Sequence, residues 1–174
     1  KFDIQKLDKK NSAIFGNLPY NISSQILVKI LKFNKWPPKF NDLILMFQKE
    51  LGDKILGKYQ SASYGRLSIL SNYRLTTLGK FLVSPNCFFP KPKVNSLVIH
   101  FKPKINSFNI KKIESLEKVT NILFSNKRKM INKNIKKILK NDEIIKIPNL
   151  KLTCRPSEIK PELFYKITEL YEKK

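Results

Sequence analysis

The sequence predicts an α/β layer over residues 1–103 followed by a small all-helical domain over 104–174. Up to Pro103 short apolar runs alternate with helical patterns, the arrangement expected of strands and helices packed in layers. Beyond Pro103 the strand-like runs stop and only helical spacing recurs, with a polar linker from Lys102 to Asn109 between the two patterns.

Taken in order, Ala13-Ile14-Phe15 reads as a short buried strand. Gly16 follows where the chain is expected to turn sharply, and Ser23-Ser24 are expected to cap a helix carrying Ile26, Leu27, Ile30 and Leu31 on one face. Leu43 to Phe47 is a continuous apolar run, the pattern of a strand buried on both faces. Helical character returns at Gly65 to Leu70, and Phe81-Leu82-Val83 reads as a strand. Pro90 and Pro92 remove backbone donors and stiffen the segment ahead of a last strand, which begins near Asn95 and includes Leu97 to Phe101. In the second region Ile113, Leu116, Thr120 and Leu123 recur at helical spacing. So do Ile131, Ile135 and Ile138, within a helix expected from Asn126 to Lys140. Pro161 suits the first turn of a helix bearing Leu163, Phe164, Ile167 and Leu170.

Charge narrows the function classes. Thirty-five Lys and Arg against 13 Asp and Glu give +22 on 174 residues, an excess suited to a polyanionic partner. A/T-biased coding accounts for Lys over Arg but not for the shortage of acids. The expected helix at 126–140 sets Lys127, Arg128, Lys129, Lys133, Lys136, Lys137 and Lys140 around its apolar seam. Such a face is commonly just solvated, and a basic amphipathic helix also suits a membrane surface; with this net charge it is read as contacting phosphates. Lys91 and Lys93 are the next basic residues in that role. No apolar run approaches the roughly 20 residues of a membrane-spanning helix, and Lys1-Phe2-Asp3 opens no signal-peptide pattern. Cys87, Cys154 and His100 are too isolated for a disulfide framework or a metal cluster. They are read as structural, with no metal site and a reducing, cytoplasmic setting.

Asn17-Leu18-Pro19-Tyr20 carries the chemistry, at the carboxyl end of a strand entering a crossover, where open α/β sheets bind ligands. The N6 amine of adenine is a poor nucleophile because its lone pair is delocalised into the ring. A catalyst must therefore hold both N–H groups and leave the lone pair facing the electrophile. The Asn17 side-chain oxygen and a backbone carbonyl fixed by Pro19 supply two acceptors, and the Tyr20 ring can stack on a flipped or single-stranded base. Taken alone, the tetrapeptide also fits a turn with a buried tyrosine. Phe88 is expected to close on the other face of the base, with Phe89 in the core; both rings in the core is the alternative.

Six ordered segments together resemble the small-subunit ribosomal RNA adenine dimethyltransferases, the KsgA type. They are Gly16 to Ser23, Phe47 to Glu50, Tyr64 to Ser68, Phe88 to Ser96, Leu123 to Lys129 and Arg155 to Glu158. The resemblance implies the C-terminal part of a Rossmann-like class I methyltransferase sheet followed by a helical domain. It implies transfer of methyl groups from S-adenosylmethionine to N6 of two adjacent adenosines near the 3′ end of small-subunit rRNA, by a monomer acting on the pre-ribosomal small subunit. The family's catalytic motif falls on Asn17, Leu18, Pro19 and Tyr20, its second base-stacking aromatic on Phe88, and a cofactor contact on Asn17. The macrolide-resistance methyltransferases of large-subunit rRNA share the catalytic and Phe-Pro-Lys-Pro-Lys-Val segments; Lys127-Arg128-Lys129 and Arg155-Pro156-Ser157-Glu158 favour the small-subunit family. A non-catalytic RNA-binding assembly module is the rival of another class.

Gly16, Gly52, Gly57, Gly65 and Gly79 form no glycine-rich loop, and no acid sits in a second-strand context to bind ribose, which departs from the family pattern. By resemblance the chain lacks the front half of the methyltransferase sheet, and the fragment alone is expected to be inactive.

Overall fold

The computed structural model describes residues 3–173, so Lys1, Phe2 and Lys174 lie outside it. In chain order the elements are β1 (Ala13–Asn17), α1 (Ser23–Leu31), β2 (Asp42–Gln48), α2 (Lys49–Ile55), α3 (Arg66–Arg74), β3 (Leu75–Val83), β4 (Ser96–Pro103), α4 (Ile113–Phe124), α5 (Asn132–Ile135), α6 (Asn141–Ile145) and α7 (Pro161–Tyr171). Among the described residues two compact units result: residues 3–56 with 71–105, and residues 57–70 with 106–173.

The first unit is built on a four-stranded sheet of order β1-β2-β4-β3. β1 runs parallel to β2, from Ala13 opposite Asp42 to Asn17 opposite Met46, with α1 as the crossover. β4 is antiparallel to both its neighbours. Burial alternates along β2: Leu43, Leu45 and Phe47 are buried while Ile44 and Met46 are half-buried, so the apolar run has one fully covered face rather than two. β1 behaves likewise, with Ile14 buried and Phe15 76% exposed, because alternate residues of a strand point to opposite faces. Leu27, Ile30 and Leu31 form the buried stripe of α1, with Ile26 half-buried at its margin. β3 extends from Leu75, well before the expected Phe81. From Thr76 to Leu82 both faces of β3 are exposed, Leu78, Phe81 and Leu82 included, and a register shift between Thr77 and Gly79 breaks the alternation that sequence reading depends on.

A buried arginine closes this unit. Arg74, 7% exposed, donates through Nη1 to the carbonyls of Leu31 and Phe33 at the end of α1 and lies 4.6 Å from the Trp36 ring centroid. Trp36 in turn donates from Nε1 to the Lys104 carbonyl at 2.8 Å. A cation is favoured at a helix C-terminus, where carbonyls lack intrahelical partners. Arg74→Met, which keeps bulk and removes the donors, is expected to lower the unfolding free energy by about 2 kcal/mol or more, measured by urea denaturation.

In the second unit α4 buries Leu116, Val119, Thr120 and Leu123. α7 begins at Pro161 and buries Phe164, Tyr165, Ile167 and Thr168. Phe124 stacks on Phe164 at a centroid distance of 5.5 Å. Thr120 and Thr168 enter this core because each hydroxyl donates to a carbonyl four residues back, to Leu116 and Phe164 at 2.8 Å. Residues 57–70, placed with the sheet by the alternation of patterns, belong instead to this unit. The Tyr64 hydroxyl donates to the Ile159 carbonyl at 2.9 Å, Tyr165 donates to the Ile69 carbonyl at 3.2 Å, and the Tyr64 ring meets Phe124 edge-on. Burial pushes the Tyr64 hydroxyl pKa far up, so it remains a donor.

The helix expected over 126–140 is mostly absent. Only α5 is helical there, flanked by turns, although Ile131, Ile135 and Ile138 are all buried as their spacing requires. The Ile131 N–H leaves the helical pattern to bond the Cys154 carbonyl at 3.0 Å.

Candidate active site

Asn17 ends β1, and Leu18-Pro19-Tyr20 lead into α1. Gly16 does not turn the chain; it lies within β1 and has ordinary backbone angles. Its role is close approach: a Cβ there would stand 2.7 Å from Leu45 Cδ2 and 3.0 Å from Leu18 Cδ2. Ser23 does not cap α1 either. Ile22 is the N-cap, while the fully buried Ser23 donates its hydroxyl to the Tyr20 carbonyl at 3.1 Å.

These bonds sort the acceptors of the motif. The Pro19 carbonyl accepts the Ile22 N–H at 3.1 Å, and the Tyr20 carbonyl is taken by Ser23. The Leu18 carbonyl and the exposed Asn17 side-chain amide have no hydrogen-bond partner among the described residues. Two oxygen acceptors on consecutive residues are thus left unpaired just ahead in sequence of Tyr20, which is half-buried. The Tyr20 hydroxyl is tied at its far end to Ser96 Oγ, at 2.6 Å, in the first residue of β4.

Phe88 and Phe89 follow a 3-10 turn over Pro85–Cys87, which the Ser84 hydroxyl caps at the Asn86 N–H. Phe88 is half-buried and Phe89 is fully exposed, so neither is a core residue. The prolines hold this stretch out of the sheet, and no ring contact joins Phe88 to Tyr20 among the described residues. Lys91 and Lys93 are exposed in the same segment. Cys87 is also exposed rather than packed, whereas His100 has a structural partner, with Nε2 2.7 Å from Asp42 Oδ1 on the neighbouring strand. Cys154 is half-buried. Among the described residues no cluster of ligands suits a metal ion, and no helix is long and apolar enough to cross a membrane.

In the second unit Lys127, Arg128, Lys129, Lys133, Lys136, Lys137 and Lys140 are all exposed, but they do not share one helical face. Arg128, Lys129, Lys133, Lys137 and Arg155 instead line a cleft of about 800 Å³. Arg155 escaped the sequence reading as a contact residue because it lies about 18 residues downstream in a loop, with no periodicity to join it to the lysines. Glu158 also lines the cleft, and its carboxylate accepts the Arg155 N–H at 2.8 Å.

A parallel β1–α1–β2 crossover followed by the antiparallel strands β4 and β3, with an amide-bearing tetrapeptide at the end of β1, has the layout of part of a Rossmann-like sheet. Solved structures share this fold. A dimethyladenosine transferase from Plasmodium falciparum superposes with a TM-score of 0.70 at 22% identity, covering 95% of this chain and 68% of its own. The 23S rRNA methyltransferase ErmE gives 0.66 at 18% identity, covering 98% and 70%. The sequence profile of the ribosomal RNA adenine dimethylase family matches residues 1–173, and the chain belongs to that family. Proteins called ribosomal RNA small subunit methyltransferase A are similar to it. That of Pelagibacter ubique is 41% identical over 164 residues, covering 92% of this chain and 62% of its own length; that of Malacoplasma penetrans is 39% identical over 171 residues, covering 96% and 61%. The chain thus spans about three-fifths of the length of these relatives.

Proposed function

We propose that the protein dimethylates N6 of two adjacent adenosines near the 3′ end of small-subunit ribosomal RNA, with S-adenosylmethionine as methyl donor, during ribosome assembly in the cytoplasm. The observation that carries this reading is the pair of unpaired acceptors on consecutive residues, Asn17 Oδ1 and the Leu18 carbonyl, in the same tetrapeptide as Tyr20, whose hydroxyl is tethered to Ser96. In this reading the two oxygens accept the two N–H groups of the adenine amine. Pro19 holds the Leu18 carbonyl in place, and Tyr20 and Phe88 stack on opposite faces of the base. Stacking is worth about 1–3 kcal/mol per base and repays part of the cost of extruding it.

S-adenosylmethionine when bound supplies an electrophilic methyl group. Of the residues here, Asn17 fits a contact to it, being exposed with an unpartnered side-chain amide. The transferring centre needs no base before attack, since the aligned lone pair is the nucleophile. The role of Lys91, Lys93 and the basic residues of 127–137 is to bind rRNA phosphates, which position the substrate without reading its sequence. The relatives' shared name favours the small-subunit substrate over the large-subunit alternative. Mass mapping of methylated adenosines in rRNA from cells with and without the gene tests the proposal. Loss of N6,N6-dimethyladenosine from the small-subunit RNA is expected, and an unchanged pattern would overturn it.

A further inference from the structure

The Tyr20 hydroxyl poses a question that stacking does not answer, because a phenylalanine ring stacks as well. Its partner, Ser96 Oγ, is 2.6 Å away in a fully buried residue. Ser96 opens β4, opposite Gln48 on one side and Val83 on the other, so the sheet holds it rigidly. The main chain of Tyr20 is held separately, through its carbonyl, by Ser23. The residue is therefore pinned at both ends, and with its hydroxyl occupied it offers a base only its ring face. Ser96 also ends the segment that carries Phe88, so this one hydrogen bond links the tetrapeptide to the chain bearing the second ring.

We propose that Ser96 is a positioning residue for methyl transfer: its hydroxyl fixes the tilt of the Tyr20 ring so that a stacked adenine meets the acceptors of Asn17 and Leu18 in line. This rests on the functional reading above. Stacking affinity tolerates small tilts, but alignment of the amine lone pair does not, so the effect falls on the chemical step more than on binding.

The test is a double-mutant cycle of Tyr20→Phe and Ser96→Ala in the native protein, measuring kcat and the KM for RNA. Each single variant is expected to lower kcat by about fivefold to tenfold, from the loss of one hydrogen bond, with KM changed by less than about twofold. The double variant is expected to be no slower than the slower single variant, because both remove the same bond. Losses that multiply, or a KM that rises in step with the fall in kcat, overturn the proposal. Should Ser96→Ala fail to fold, Tyr20→Phe carries the test, and an unchanged kcat overturns it. Asn17→Ala in the same assay separates the two levels. Retained activity there removes the site reading itself, whereas abolished activity with independent Tyr20 and Ser96 effects removes only the role of Ser96.

Discussion

Replacing Asn17 by Ala in the native protein is expected to lower methyl transfer by about a hundredfold or more while RNA affinity changes by less than about threefold. The asymmetry follows from where each interaction acts. Asn17 stands at the end of β1 with an unpartnered side-chain amide, and in the proposed function its contribution is made at the reacting amine, where hydrogen bonds strengthen as charge develops. In the same proposal affinity comes from phosphates bound by the basic residues elsewhere. Removing the side chain disturbs no internal hydrogen bond among the described residues, so the fold should be intact, and a thermal melt beside the assay checks this. Single-turnover transfer and filter binding on one rRNA substrate distinguish the outcomes. Equal losses in both would mean that Asn17 helps to hold RNA rather than to orient an amine, and a non-catalytic binding module would then be the better description.

Charge reversal of Lys129, Lys133 and Lys137 is expected to weaken RNA binding strongly and to flatten its salt dependence. Removing one lysine–phosphate interaction reduces the slope of log affinity against log salt by roughly 0.7 to 0.9, so the slope of the triple variant should fall by about 2 to 3. The three lysines are chosen because they line one cleft with Arg128 and Arg155. Lys136, adjacent in sequence but outside that lining, is the comparison, and its reversal alone should alter the slope less. An unchanged slope in the triple variant would move phosphate binding to Lys91 and Lys93.

Much of this molecule is legible in its sequence, for identifiable reasons. Ile131, Ile135 and Ile138 are buried as their spacing demands, yet the chain around them is mostly turns. Burial follows from which side chains are apolar, whereas continuous helix needs each N–H to bond four residues back, and the N–H of Ile131 goes to Cys154 instead. Gly16 shows a similar division: its importance is visible in the sequence and its reason is not, because the crowding comes from Leu45 on another strand. Asn17 and Tyr20 can be singled out from chemistry. Ser96 cannot be joined to them, since 76 residues separate it from Tyr20 and only the antiparallel return of β4 brings the hydroxyls together.

The path of the backbone between the two units also bears on how such a protein can be cut and recombined. Residues 57–70 belong with 106–173, while residues 71–105 belong with the sheet. A clone opening at Asn106 would omit Tyr64 and Ile69, and with them the ring against Phe124 and the carbonyl that receives the Tyr165 hydroxyl. The helical half is therefore not a module that a single crossover in a gene can exchange. Swapping it between relatives takes two junctions, and a protease nick within 57–70 should loosen the helices even though their own sequence is left whole.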